Sequence, residues 1–200
     1  MLAIAERALR GDLPVDVRAV ISDKADAAGL AKAAELGITV ETLSPRSYTD
    51  RESYDLALAE LIASFKPELI VLAGFMRILS AHFIDAFAGK IINIHPSLLP
   101  KYRGLHTHKR AIEAGDSVHG VSVHYVTQEL DGGPVMMQAS VPVLPEDTAE
   151  TLSARVQRQE HRLYPQVIDW IARRRIELQA DGVRFDGQLL RSPITMENGE

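Results

Sequence analysis

Three side chains able to move a proton and steady a developing negative charge stand in two short motifs of this chain. The first motif is Ile91-Ile92-Asn93-Ile94-His95-Pro96-Ser97-Leu98-Leu99-Pro100, and the second is Leu130-Asp131-Gly132-Gly133-Pro134. The apolar run of the first reads as a buried strand that stops at a proline. Side chains alternate between faces along a strand, so Asn93 and His95 share one face, and Ile92 and Ile94 the other. An amide donor and a titratable imidazole are thereby set side by side at the strand's carboxyl end, where open α/β sheets bind their ligands. Asp131 lies in a glycine-rich turn, where the backbone can come close to a ligand and a carboxylate can meet the imidazole. An amide, an imidazole and a carboxylate are the groups needed to stabilise an oxyanion and transfer a proton. Each also has a plain structural use: Asn-x-His as a strand-end cap with a satisfied histidine, Asp-Gly-Gly as a turn.

Other polar residues call for a partner. On the helix expected after Asp147, residues Leu152, Val156, Leu163 and Val167 form an apolar stripe, and Glu160 falls beside it, four residues from Val156. A carboxylate on the buried side of a helix needs a partner, either a ligand or an ion pair with Arg155 or Arg158. Ser122 and His124 alternate inward on a strand near Asp131 and are expected to support the site from behind. The histidines 95, 106, 108, 119 and 124 contain no His-Glu-x-x-His spacing, so no metal site is expected.

The elements that must position these groups follow from periodicity and turn signals. Helices are expected over 2–9, 25–36, 50–64 (capped by Asp50), 81–87 and 108–114. Strands are expected at 15–21, 38–43, 69–73, 91–95, 120–126 and 135–141. The run Leu69 to Ala73 is wholly apolar and is expected to be a central strand. A long helix from Asp147 to about Ile171 is expected, with Asp147 and Glu150 as a capping box and Pro165 kinking or splitting it. Turn signals at Ala180-Asp181-Gly182 and Asp186-Gly187 make 176–190 a hairpin region. The βαβα rhythm of the first half predicts an α/β fold, a Rossmann-like, mostly parallel sheet with flanking helices.

Two hundred residues, 46% hydrophobic and 24% charged, suit one compact soluble domain. A net charge of −5 argues against nucleic acid as a bulk partner, and Arg173-Arg174-Arg175 ends a helix, where its dipole favours cations. The absence of cysteine removes disulfides, thiolate metal sites and thiol nucleophiles. No apolar run reaches membrane-spanning length and no signal peptide opens the sequence, so no membrane partner and a cytoplasmic location are expected.

Taken together, Asn93 to Pro100 and Leu130 to Pro134 resemble the formyltransferases that use 10-formyltetrahydrofolate. Val20 to Ala27, Ala73 to Ser80, Gly104 to His108 and Gln157 to His161 are similar to the phosphoribosylglycinamide formyltransferases among them. The resemblance runs along nearly the whole chain. It implies formyl transfer from 10-formyltetrahydrofolate to the amine of glycinamide ribonucleotide in purine biosynthesis, without a metal, and leaves the oligomeric state open. Asn93 would donate to the oxyanion, His95 would stabilise it or shuttle the proton, and Asp131 would favour the charged imidazole. It further implies a folate pocket built from Arg51, Met76, Arg77, Ile78, Leu79, Asn93, Thr127, Gln128, Glu129, Leu130 and Asp131. Gln157, Arg158, Gln159 and Glu160 would hold the ribonucleotide. The single domain would divide into a nucleotide-binding half, about 1–95, and a folate-binding and catalytic half, about 96–191, with 192–200 a loose tail.

One part of the implied pattern is missing. The family opens with a strand and a Gly-Asn-Gly-Ser-Asn phosphate loop, whereas the first residues here already read as helix. The expectation is an internal methionine standing at position 1 and a gap between the strands at 15–21 and 69–73. A formyltetrahydrofolate hydrolase shares the Asn/His/Asp apparatus but carries an extra regulatory domain, a methionyl-tRNA formyltransferase carries a tRNA-binding extension, and a folate-binding remnant without catalysis is the non-enzymatic alternative.

Overall fold

The computed structural model describes residues 1–196. Its elements run α1 (Leu2–Leu9), β1 (Val20–Ser22), α2 (Ala28–Glu35), β2 (Val40–Thr42), α3 (Arg51–Ser64), β3 (Ile70–Leu72), α4 (Ala81–Ala86) and β4 (Ile91–His95). They continue with α5 (Thr107–Glu113), β5 (Val118–Tyr125), β6 (Val135–Pro142), α6 (Ala149–Ala172), β7 (Ile176–Gln179), β8 (Gly182–Phe185), β9 (Gln188–Leu189) and β10 (Ile194–Thr195). A five-stranded sheet has the order β10-β6-β5-β4-β3, β1 pairs with β2 alone, and β7-β8-β9 form a small antiparallel sheet. The pairs β1–β2, β3–β4 and β10–β6 are parallel, and β4–β5 and β5–β6 antiparallel. The α/β architecture is thus the Rossmann-like one expected, with the first-half pairs β1–β2 and β3–β4 parallel and the antiparallel pairing starting at β4–β5.

Alternation along β4 sends neighbouring isoleucines into different layers. Ile92 packs with Val121, Val123, Leu152, Val156, Leu163 and Val167 beneath α6, and Ile91 packs with Tyr54, Leu58 and Phe83 beneath α3 and α4. Each large apolar side chain buried this way contributes about 1.5–3 kcal/mol. The stripe read on α6 is completely buried, so β4 is clamped from both faces and its carboxyl end is a rigid platform.

Four expectations need correction. The N-cap of α6 is Thr148, in a reciprocal capping box with Thr151. Asp147 instead accepts from Leu144 N and pairs with Arg155 at 2.6 Å. Pro165 does not split α6, which runs unbroken over 24 residues with the proline buried. β3 is an edge strand, not a central one. Part of the expected tail is ordered, because Ile194 and Thr195 pair with Met137 and Gln138; residues 197–200 lie outside the described residues.

The expected break between the first and third strands is present. β1 and β3 belong to separate sheets, and a cavity of about 910 Å³ lies between Val15–Lys24 and Leu69–Ala73, floored by Ile168 and Ile171 and roofed by Tyr54 and Leu58. Residues 15–19, expected as strand, have no ladder partner and only Val20–Ser22 pair. Among the described residues no helix is long and apolar enough to cross a membrane.

Candidate active site

The candidate residues converge where β4 ends. Asn93 and His95 pair across the antiparallel ladder with His124 and Ser122 of β5, so all four side chains share one face. The turn after β5 then brings Asp131 back over that face. Gly133 permits this return: a Cβ there would stand 1.9 Å from the Tyr125 carbonyl oxygen. Asp131 itself adopts φ +47, a left-handed conformation costly for a side-chain-bearing residue. Its carboxylate is held by an N–H of Gly104 at 2.8 Å.

His95 is buried and lies between two acceptors. Its Nδ1 is 3.4 Å from Asp131 Oδ2, and its Nε2 donates to the Tyr102 carbonyl at 2.9 Å. Both ring nitrogens therefore have acceptors to donate to in the charged ring. His124 is arranged in the opposite sense. Its Nδ1 donates to the Tyr125 carbonyl at 2.9 Å, which leaves Nε2 to accept from Asn93 Nδ2 at 3.3 Å. Burial pushes the pKa of His124 down, against the pull of the Tyr125 carbonyl and Asp131, and so favours this neutral tautomer. The 3.6 Å approach of His124 Nε2 to Asp131 is accordingly not an ion pair. One N–H of Asn93 is thus engaged from behind and the other remains for a ligand.

Ser122 faces the backbone beyond β4. Its hydroxyl donates to Ser97 O and accepts from Leu99 N and from Gln138 Nε2, at 2.6, 3.0 and 2.9 Å. It anchors the loop that follows His95 and is not given a bond to Asp131. Further out, burial and the neighbouring His108 drive His119 down to about 4, and burial with the His95 charge lowers His108. Among the described residues no group of three or more His, Cys, Asp or Glu could hold a metal ion.

The chain that carries this arrangement has relatives of known name. A family model described as formyl transferase matches residues 1–168. The chain belongs to the formyl transferase family. It is 53% identical over 174 residues to the phosphoribosylglycinamide formyltransferase of Escherichia coli, covering 87% of this chain and 82% of that one. With the Haemophilus influenzae protein of the same name it shares 46% over 180 residues, covering 90% and 85%. The solved phosphoribosylglycinamide formyltransferase of Coxiella burnetii superposes with a TM-score of 0.91 at 44% identity, over 98% of this chain and 93% of that one.

The remaining positions singled out in this formyl transferase fall into two groups. Met76, Ile78 and Leu130 project into solvent, 75%, 58% and 51% exposed, and Leu105 of the loop after β4 is exposed likewise. Leu79 is buried, and Arg77 turns back to lie over the Tyr54 ring at 4.7 Å. In the second loop Gln128 donates to Asp85 at 2.8 Å, Glu129 pairs with Arg103, and Thr127 donates to Glu129 O. Arg51 is exposed at the start of α3. On α6, Gln157 and Arg158 are exposed and Gln159 and Glu160 half-buried. Burial raises the carboxyl pKa of Glu160, and the α-amino group of Met1 is the charge that opposes this. Arg155 is committed to Asp147, so it is not the partner of Glu160. The Tyr102 carbonyl, the Gly104 N–H and Arg103 escaped sequence reasoning. They act through backbone or through a loop whose course no periodicity records.

Proposed function

We propose that this formyl transferase moves the formyl group of 10-formyltetrahydrofolate to the amine of glycinamide ribonucleotide, a step of purine biosynthesis suited to the cytoplasm. The observation that carries the reading is His95, held between the Asp131 carboxylate and the Tyr102 carbonyl beside the free N–H of Asn93. The amine nitrogen attacks the formyl carbon, and the carbonyl electron pair moves to oxygen. Asn93 and the charged His95 stabilise that oxyanion. Collapse breaks the bond from the formyl carbon to N10 of the donor, and the proton lost by the amine passes to N10, with His95 as the shuttle and Asp131 holding the ring.

The exposed apolar side chains fit the donor, which acts as a substrate: Met76, Ile78 and Leu130 offer an aromatic ring system a surface that water does not satisfy. Arg77, Leu79 and Thr127 to Asp131 shape the two loops around it, and Arg51 stands toward its acidic end. Gln157 to Glu160 are the proposed ribonucleotide contacts. In this reading residues 1–95 form the nucleotide half and 96–191 the donor half. The test is tetrahydrofolate release, measured with and without glycinamide ribonucleotide. Release only with the ribonucleotide is the expected result. Release with water alone as acceptor would make the protein a hydrolase, and no release in either case would sink the reading.

A further inference from the structure

In the loop from Ala73 to Ser80, positions 75 to 79 alternate between inward and outward. Met76 and Ile78 stand in solvent, whereas Arg77 folds back on α3 and Leu79 and Ser80 are buried. Holding two large apolar side chains out in water is unfavourable unless the backbone between them is braced. The brace is on α3. Asp55 is 2% exposed, and its carboxylate accepts the backbone N–H of Ser80 at 2.6 Å, across 25 residues of sequence. Its neighbour Tyr54, equally buried, carries the Arg77 guanidinium on its ring. A carboxylate buried to this degree is costly, and a single charge-assisted bond to a loop amide is the use made of it. Ser80 is also the N-cap of α4, its hydroxyl accepting from Phe83 N. The bond from Asp55 therefore fixes where the loop ends and the helix begins.

We propose that Asp55 is a positioning residue for the formyl-donor pocket: by gripping Ser80 N–H, with Arg77 stacked on Tyr54 as a second hold, it sets Met76 and Ile78 in place before the donor arrives. This rests on the reading of the cleft as the formyl-donor site. Binding to a braced loop avoids the ordering cost that a free loop would impose on the donor alone. The consequence is selective, because Asn93, His95 and Asp131 stand on other elements and are untouched.

The test compares wild type, Asp55→Ala and Asp55→Asn in steady-state kinetics with both substrates, together with hydrogen exchange at the Ser80 amide. In Asp55→Ala the KM for 10-formyltetrahydrofolate should rise about tenfold, equivalent to about 1.4 kcal/mol. Turnover and the KM for the ribonucleotide should stay near wild type. Asp55→Asn keeps an oxygen that can accept the N–H and should recover most of the loss. A fall in turnover with the donor KM unmoved, or an equal rise in both KM values, would overturn the proposal. If Asp55→Ala does not fold, Asp55→Asn is read alone: a small, donor-specific rise in KM supports the role and none overturns it. A wild-type protein without transfer activity would sink the functional reading and leave the brace to be decided by exchange. Ser80 exchanging as slowly in Asp55→Ala as in wild type would then overturn it.

Discussion

At the scale of the residue, the two histidines nearest Asp131 are assigned opposite tasks by their hydrogen-bond partners. His95 has acceptors on both nitrogens, and His124 has an acceptor on one and a donor on the other. The first suits an imidazolium facing an oxyanion; the second suits a neutral ring that orients an amide. Asp131→Asn removes the charge that supports the imidazolium but leaves Met76, Ile78 and Leu130 intact. Turnover should fall by roughly 10²-fold or more, within the range of a lost acid–base group, while calorimetry with a folate analogue shows little change. Equal losses in both would refute that division of roles. Asn93→Ala deletes the free donor and should lower turnover by roughly 10²–10³-fold, with the donor KM little altered; a loss confined to KM would place Asn93 in binding alone. Asn93, His95 and Asp131 were legible in the sequence because strand alternation and a glycine turn encode direction. The link from His124 to Asn93 was half legible: alternation put His124 on the right face, but only the β4–β5 register supplies its partner.

At the scale of the element, β5, α5 and the loop after β4 are joined through packed rings, of which His119 is buried. His119 of β5 stacks edge-on to His108 of α5 at 5.1 Å and to Tyr102 at 6.0 Å. Burial first, then the His108 and His95 charges, hold His119 at about 4, opposed by the Pro96 carbonyl and Asp116, the latter also paired with Lys101. A folded-state pKa below the unfolded value of 6.5 means that the unfolded chain binds the extra proton between those limits. The stabilisation is thus complete above about pH 6.5 and lost as pH falls toward 4. Between pH 7 and pH 5 the loss should be about 2 kcal/mol, visible in urea melts at the two pH values. His119→Phe keeps a ring and removes the titration, so its melts should differ much less, the remainder coming from His108 and His124. An unchanged pH dependence in that variant would show that His119 does not titrate on unfolding. None of this was legible beforehand, since the packing of three rings from separate elements depends on how the loop returns. The α6 stripe, by contrast, was read directly from spacing, whereas its capping pair was displaced by one residue once Arg155 claimed Asp147.

At the scale of the molecule, the parallel pairing of the first half follows from the order of hydrophobic runs, whereas the break between β1 and β3 was expected only from the leading strand and phosphate loop that the family pattern implies. What the runs could not reveal is how the second half is tied to the first. One such tie is the Tyr164 hydroxyl of α6, within hydrogen-bond reach of the carbonyls of Leu72 at 2.7 Å and Ile92 at 3.1 Å. That hydroxyl reaches β3, the strand whose other side borders the cavity of about 910 Å³. Wholly apolar, β3 has the composition of a strand meant for partners on both sides, yet among the described residues β4 is the only strand paired with it, and β1 pairs only with β2. Buried backbone groups without partners cost about 1–3 kcal/mol each, against a domain stability of about 5–15 kcal/mol. Residues 1–200 alone should therefore melt early, aggregate and turn over slowly. Met1 lines the same cavity, so a short Val/Ile-rich strand with a glycine turn, fused ahead of it, can enter the slot and pair both edges. Gaining several kcal/mol that way should raise the melting temperature by on the order of 10 °C, whereas a Gly/Ser extension of equal length should not. Equal melting of the two fusions, or a cooperative melt with full transferase activity from the unextended chain, would show that the slot carries no such cost.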